Sequence, residues 1–301
     1  MSEFEGKVVA ITGAGGGLGK AHALEFAKRG AKVVVNDLGG SVDGSGEGDM
    51  ADRVVAEIKA AGGEAIANKA SVSDRAGAMS IVTDAVDAYG TIDILVNNAG
   101  ILRDKSFKNM TLDEWDLVTS IHLNGTAYVT HAAWPIMYEK NYGRIVFTSS
   151  GSGIWGNFGQ SNYGAAKMGM LGLMNVLALE GASHNIKTNC LAPGAATRMT
   201  SDLPGRDSFD PENPPAERAP GLVTPAVIYM CSEEAPSGKV FQAASGNFSS
   251  AAMYANDGVS LGTDASFETF VENLDSITDM SNAEDGVTRR QRMRAKQAKK
   301  S

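Results

Sequence analysis

Tyr163 and Lys167 stand four residues apart in NYGAAK, thirteen residues downstream of Ser150. Four residues make about one helical turn, so a helix here would carry the phenol and the ammonium on one face, within reach of a common ligand. A free tyrosine ionises at about pH 10, but an adjacent ammonium favours the phenolate and makes Tyr163 a candidate proton acceptor. Ser150 follows the apolar run Ile145, Val146, Phe147 in GRIVFTSS, where a strand tip would expose its hydroxyl to an alcohol or carbonyl oxygen. Lys167 would have two tasks, lowering the Tyr163 pKa and donating to a cofactor ribose. The trio becomes useful only beside a cofactor.

A cofactor site opens the chain. KVVAI, residues 7–11, is a short apolar run of the buried parallel-strand kind; TGAGGGLG follows at once, and then a helical pattern through Ala23, Leu24, Phe26 and Ala27. Gly13, Gly17 and Gly19, with Leu18 between the last two, permit a tight turn, close approach of backbone to a pyrophosphate, and close packing of helix on strand. Phosphates would sit on the helix N-terminus, where free N–H groups and the dipole favour anions. One strand later KVVVND ends in Asp37, eighteen residues past Gly19, near the spacing at which an acid meets the adenosine ribose hydroxyls. A carboxylate there repels a 2′-phosphate. Two unit charges about 4 Å apart at an effective dielectric of about 20 interact by about 4 kcal/mol, and tenfold discrimination needs only about 1.4. No Lys or Arg lies in the glycine turn or directly after Asp37, so NAD is expected over NADP.

With these motifs in view the chain resembles the short-chain dehydrogenase/reductase family over nearly its whole length. TGAGGGLG matches the family's glycine turn; NNAG, ending in Asn98, Ala99 and Gly100, matches its motif after the fourth strand; Ser150, Tyr163 and Lys167 match its catalytic trio. The resemblance further implies Asn124, in HLNGT, as the fourth catalytic residue, and Pro193, Gly194 and Thr197 as cofactor contacts after the sixth strand. Where the family often has an acid before a valine at the adenine, this chain has Ser71 and Val72 after Ala70, leaving that contact mostly to backbone. Within the family, VVVNDLGG, NNAGILRDKSF and TSSGSGIWGNFGQSNYGAAK are similar to the (3R)-hydroxyacyl-CoA dehydrogenases, the dehydrogenase part of peroxisomal multifunctional enzymes and their bacterial stand-alone relatives. That similarity implies oxidation of a (3R)-3-hydroxyacyl-CoA to the 3-oxoacyl-CoA with NAD. A 17β-type hydroxysteroid dehydrogenase would share every catalytic residue, and a non-catalytic dinucleotide sensor would share the fold.

The elements needed to hold these groups are legible as alternating apolar runs and helical patterns, which predict a doubly wound, Rossmann-type α/β fold of about seven parallel strands. Strands are expected at residues 8–11, 32–36, 64–68, 94–97, 144–148, 188–192 and 239–242, and one continuous helix over 112–138. Right-handed crossovers would align the C-terminal strand ends, and ligands would bind there, where strand order reverses. We expect a catalytic NAD-binding domain over 1–262, a helical extension over 263–286 and a basic, disordered tail over 287–301.

Charge and composition limit the partners. The chain is acidic, with 35 Asp and Glu against 27 Lys and Arg, and residues 287–301 hold seven of those basic groups and no acid. An acidic body disfavours nucleic acid. The two cysteines do not make a disulfide framework, no apolar run approaches the roughly 20 residues of a membrane span, and the first strand leaves no room for a signal peptide. A cytoplasmic protein acting on a small molecule is expected. Histidines 22, 122, 131 and 184 lack metal-ligand spacing, so no metal is expected. Trp155 and Phe158 could wall the substrate pocket, and the proline-rich segment 198–221 reads as a substrate lid. Met168, Met170, Leu171, Leu173 and Met174 spread over more than one face of the Tyr163 helix, so one face should meet a second subunit in a homodimer or homotetramer.

Overall fold

The computed structural model describes residues 3–41, 43, 45–46, 48–201, 208–287, 289 and 292–293. The chain divides into two compact units, Met1–Ser250 and Ala251–Ser301.

In the first unit the runs of β-branched residues form buried strands. β1 (Val8–Thr12) is buried at every position, as are β4 (Ile94–Asn97) and β5 (Gly143–Thr148), as expected of strands covered on both faces. They join β2 (Lys32–Asn36), β3 (Glu64–Asn68), β6 (Ile186–Gly194), β7 (Val240–Ala244) and β8 (Asn247–Ala251) in one sheet of order β3-β2-β1-β4-β5-β6-β7-β8. Every pairing from β3 to β7 is parallel. The order reverses between β1 and β4, which opens a crevice at their C-terminal ends.

The crossovers are α1 (Gly17–Lys28), α2 (Met50–Ala60), α3 (Arg75–Tyr89), α4 (Leu112–Thr119) with α5 (Thr126–Glu139), α6 (Gly151–Trp155) with α7 (Ser161–Glu180), and α8 (Thr224–Cys231). The sheet has eight strands rather than seven. β8, NFSSA, is polar and almost wholly exposed, so it carries no apolar signal. β6 runs past its predicted end because beyond Leu191 it pairs only with β7; an edge of this kind tolerates Pro193, which has no N–H to donate.

The single helix expected over 112–138 is broken. Ser120–Gly125 forms a π-helical turn between α4 and α5, a rare geometry that places an extra residue in the turn and often marks functional sites. Gly125 lies so close to Val72 that an added Cβ would stand 2.8 Å from Val72 Cγ2. Gly169 of α7 backs onto Leu123 from the other side.

The second unit contains the antiparallel pair β9 (Tyr254–Ala255) and β10 (Glu284–Asp285), with α9 (Phe267–Glu272) and α10 (Leu274–Thr278) between them. Arg289 and Arg292 pair with Asp257, and Arg292 also with Glu284. Residues 288, 290, 291 and 294–301 of the predicted tail lie outside the described residues.

Candidate active site

The crevice at the strand ends holds a cavity of about 680 Å³ that runs from the glycine turn to Ser150 and Tyr163. At one end, Gly13 and Gly17 adopt left-handed φ angles of +63° and +50°. Asn98 Nδ2 donates to the carbonyls of Thr12 (3.0 Å) and Gly13 (2.9 Å), while the Asn98 and Ala99 amides donate to Thr12 Oγ1. The NNAG segment therefore clamps the turn while Asn98, Ala99 and Gly100 line the cavity. Gly16, the N-cap of α1, has no side-chain cap and the first turn of α1 contains no acid. Its uncompensated positive end can accept an anion.

Gly19 has a different place from the other turn residues. It does not line the cavity; a Cβ on it would stand 2.2 Å from the Gly13 oxygen, so its task is to let the first turn of α1 press against the Gly13–Ala14 turn. Asp37 lines the cavity, with Oδ2 accepting from the Gly15 amide (2.8 Å) and Oδ1 from the Gly39 amide (2.7 Å). Gly15 was not among the predicted turn residues; the unbroken GGG run was its signal. Leu18, Ser71, Val72, Pro193, Gly194 and Thr197 also line the cavity.

At the other end Ser150 N-caps α6, accepting from Ser152 N at 3.1 Å, and lines the cavity together with Tyr163. Tyr163 lies in the first turn of α7 and Lys167 one turn on. Lys167 is 2% exposed; its Nζ donates to the Thr148 carbonyl at 2.5 Å and sits 5.4 Å from the Tyr163 ring centre. Spacing alone thus brought the trio together. The expected electrostatics need correction. Burial pushes the Tyr163 phenol up, the nearby Ser150 hydroxyl opposes this, and the Asp104 carboxylate adds to the rise. Burial also brings Lys167 down to about 7, and a lysine that readily loses its charge gives the phenol less support.

That shift has a measurable sign. Between about 7 and the ordinary 10.5 the unfolded chain keeps a proton that Lys167 in the folded chain has lost, so stability through this group rises with pH across that window and is flat below it. In NAD-free protein, Lys167→Met should abolish this gain, seen by comparing the pH dependence of the unfolding midpoint with that of the wild type.

Asn124 is not at the site: its side chain is exposed and outside the cavity. Its neighbour His122 is 1% exposed, lines the cavity, and meets Tyr163 edge to face at 5.1 Å. His122 Nε2 lies 3.0 Å from the Ile101 amide and 2.8 Å from its carbonyl, bonding one or the other according to tautomer, while Nδ1 is buried with no hydrogen-bond partner among the described residues. Burial, followed by the charge of Lys167, holds His122 well below its usual range. Helical residues two apart do not share a face, so HLNG could place only one of the two inward. Deciding which required the face to be fixed.

Trp155 and Phe158 are 69% and 92% exposed and do not wall the cavity. Asn157 and Gln160 line it instead, with Gln160 Nε2 donating to Asp104 (2.6 Å) and its Oε1 accepting from Ser152 and Asn157. Met199, Thr200, Pro211, Glu212 and Arg218 bring the 198–221 segment to the rim; residues 202–207 lie outside the described residues. Among the described residues no group of three His, Cys, Asp or Glu is placed to hold a metal, and no helix is long and apolar enough to cross a membrane.

Comparison with known proteins agrees with this geometry. Residues 7–206 match the short chain dehydrogenase family model. A short-chain type dehydrogenase/reductase of Mycobacterium tuberculosis is 46% identical over 285 residues, covering 94% of this chain and 98% of that protein. Peroxisomal multifunctional enzyme type 2 of Mus musculus is 50% identical over 245 residues, 81% of this chain but only 32% of the mouse protein. The full-length peroxisomal multifunctional enzyme type 2 of Drosophila melanogaster superposes with a TM-score of 0.77 at 37% identity, over 99% of this chain and 50% of that one. The chain therefore belongs to the short-chain dehydrogenase/reductase family, with relatives that include the much longer peroxisomal multifunctional enzymes.

Proposed function

We propose that this protein is an NAD-dependent dehydrogenase of secondary alcohols, and that its substrate is a (3R)-3-hydroxyacyl-CoA. The observation that carries the reading is that one cavity is lined by Ser150, Tyr163 and Lys167 at one end and by the Asp37-guarded glycine turn at the other. The turn fits a dinucleotide, because Gly13 and Gly17 hold left-handed φ angles and present bare backbone to the cavity they line. Gly13, Gly16 and Gly17 would hold the pyrophosphate, Asp37 the adenosine ribose, and Lys167 the nicotinamide ribose. When bound, the oxidised nicotinamide supplies the hydride acceptor.

Ser150 orients the substrate hydroxyl toward Tyr163, which takes its proton as the alcohol becomes a carbonyl. His122 replaces Asn124 in our assignment as the fourth residue of the catalytic group, lining the cavity edge to face with Tyr163. His122→Ala should lower turnover on the order of tenfold, below the roughly 10² to 10⁴ of a group that itself transfers the proton, whereas Asn124→Ala should match the wild type. Equal loss in both variants, by steady-state assay, would remove His122 from the scheme.

The thioester reading is supported by the close likeness to the peroxisomal multifunctional enzymes. NAD and NADP reduction should be measured with a (3R)-hydroxyacyl-CoA, its free acid and a 17β-hydroxysteroid. A strong preference for the thioester with NAD is expected; preference for the steroid would overturn the substrate class, and no turnover with any alcohol would favour a dinucleotide sensor. We also propose a homodimer or homotetramer through α7, whose outer face exposes Met168, Val176 and Leu179. A monomeric mass by light scattering would refute it.

A further inference from the structure

We infer that Arg198 is a dinucleotide-contacting residue whose guanidinium closes the pyrophosphate cradle from the loop after β6. Three cations among the described residues line the cavity: Lys167, Arg198 and Arg218. Lys167 is buried beneath Tyr163 with its Nζ on Thr148, and Arg218 lies over the Phe209 ring at 5.3 Å. Arg198 reaches the glycine turn. Its Nη1 stands 3.5 Å from Met50 Sδ, and Met50 Cε in turn lies 3.2 Å from where a Cβ on Gly16 would be. Directly before it, Thr197 Cγ2 lies 3.2 Å from the corresponding point on Gly17. The β6 loop therefore lies against the N-terminal turn of α1, and Arg198 is its charged residue there.

The charge is uncommitted. Arg198 is exposed and forms no ion pair among the described residues, although Asp37 and Glu212 line the same cavity. An unpaired guanidinium beside an uncapped helix N-terminus converges on the same kind of ligand as that terminus, an anion with several acceptor oxygens. The inference rests on the dinucleotide reading of the cavity but not on the choice of alcohol. A pyrophosphate and a 2′-phosphate share this chemistry; Asp37, bonded to Gly15 at the ribose end, opposes the second.

The test is binding without substrate. NADH, ADP, adenosine and 2′,5′-ADP are titrated calorimetrically into the wild type, Arg198→Ala and Arg198→Lys, with unfolding midpoints confirming that the exposed substitutions leave the fold intact. Charge-assisted hydrogen bonds of this kind predict that Arg198→Ala weakens NADH and ADP on the order of tenfold, leaves adenosine unchanged and flattens the salt dependence of ADP binding, with Arg198→Lys recovering part of the loss. Unchanged ADP affinity in Arg198→Ala overturns the inference. Equal weakening of adenosine reduces Arg198 to packing on Met50, and a loss confined to 2′,5′-ADP moves the contact to the wrong phosphate, so each overturns it too. If the wild type binds none of the four, the dinucleotide reading itself has failed.

Discussion

Tyr163→Phe should lower turnover by about 10² to 10⁴, the range for a positioned proton-transfer group, while leaving NADH affinity nearly unchanged. The substitution removes only the hydroxyl. The ring keeps its edge-to-face contact with His122, and Lys167 keeps its bond to the Thr148 carbonyl, so the cavity should hold its shape. What disappears is the phenol oxygen, which in the proposed reaction accepts the substrate proton. Because burial raises the phenol in the structure as described, the rate in the oxidising direction should climb toward alkaline pH, where phenolate is more available, and the variant should lose that limb. The measurements are steady-state oxidation across pH and NADH titration of both proteins. A variant retaining more than about a tenth of wild-type turnover would falsify the role given to Tyr163.

Gly19→Ala should cost both stability and cofactor binding, although Gly19 does not line the cavity. Its added methyl carbon would lie 2.2 Å from the Gly13 oxygen, 2.7 Å from Asn98 Nδ2 and 2.8 Å from Ala14 Cα. Two of these are backbone, and the Asn98 amide is fixed by bonds to Thr12 and Gly13, so relief requires moving α1 away from the Gly13–Ala14 turn. Overpacking of this kind costs about 1–3 kcal/mol, or about 2–4 °C of unfolding temperature per kcal/mol for a domain of this size class. The shift would also drag the α1 N-terminus away from the phosphates, so NADH should bind on the order of tenfold more weakly or worse. Gly221→Ala, where nothing lies within 4 Å of the new carbon, is the control and should change neither. If both variants melt and bind alike, the packing argument is wrong.

Much of the site was legible because it consists of local spacing. Tyr163 and Lys167 needed only one helical turn, and Asp37 needed only the end of an apolar run one strand after the glycines. The misses have a common cause. Asn124 and His122 both suit a polar task, and the choice depended on which face of a π-helical turn meets Tyr163, which is set by the Ile101 backbone, Val72 and Gly169 rather than by neighbours in sequence. Trp155 and Phe158 were placed at the pocket by proximity to Ser150, yet the chain turns between them so that Asn157 and Gln160 face inward, fixed by an Asp104 more than fifty positions away. β8 escaped notice because an exposed edge strand needs no apolar alternation.

The sequence by itself determined the parallel sheet, the glycine turn with its acid, and the grouping of the serine, tyrosine and lysine of the proposed chemistry, since hydrophobic periodicity and fixed offsets along helix and strand encode them directly. Only the tertiary structure decided which polar residue faces Lys167, how far burial shifts the phenol and the ammonium, and that Arg198 lies at the mouth of a turn some 180 residues earlier in the chain. Those properties depend on desolvation and on contacts between distant segments, and neither exists until the sheet has closed around them.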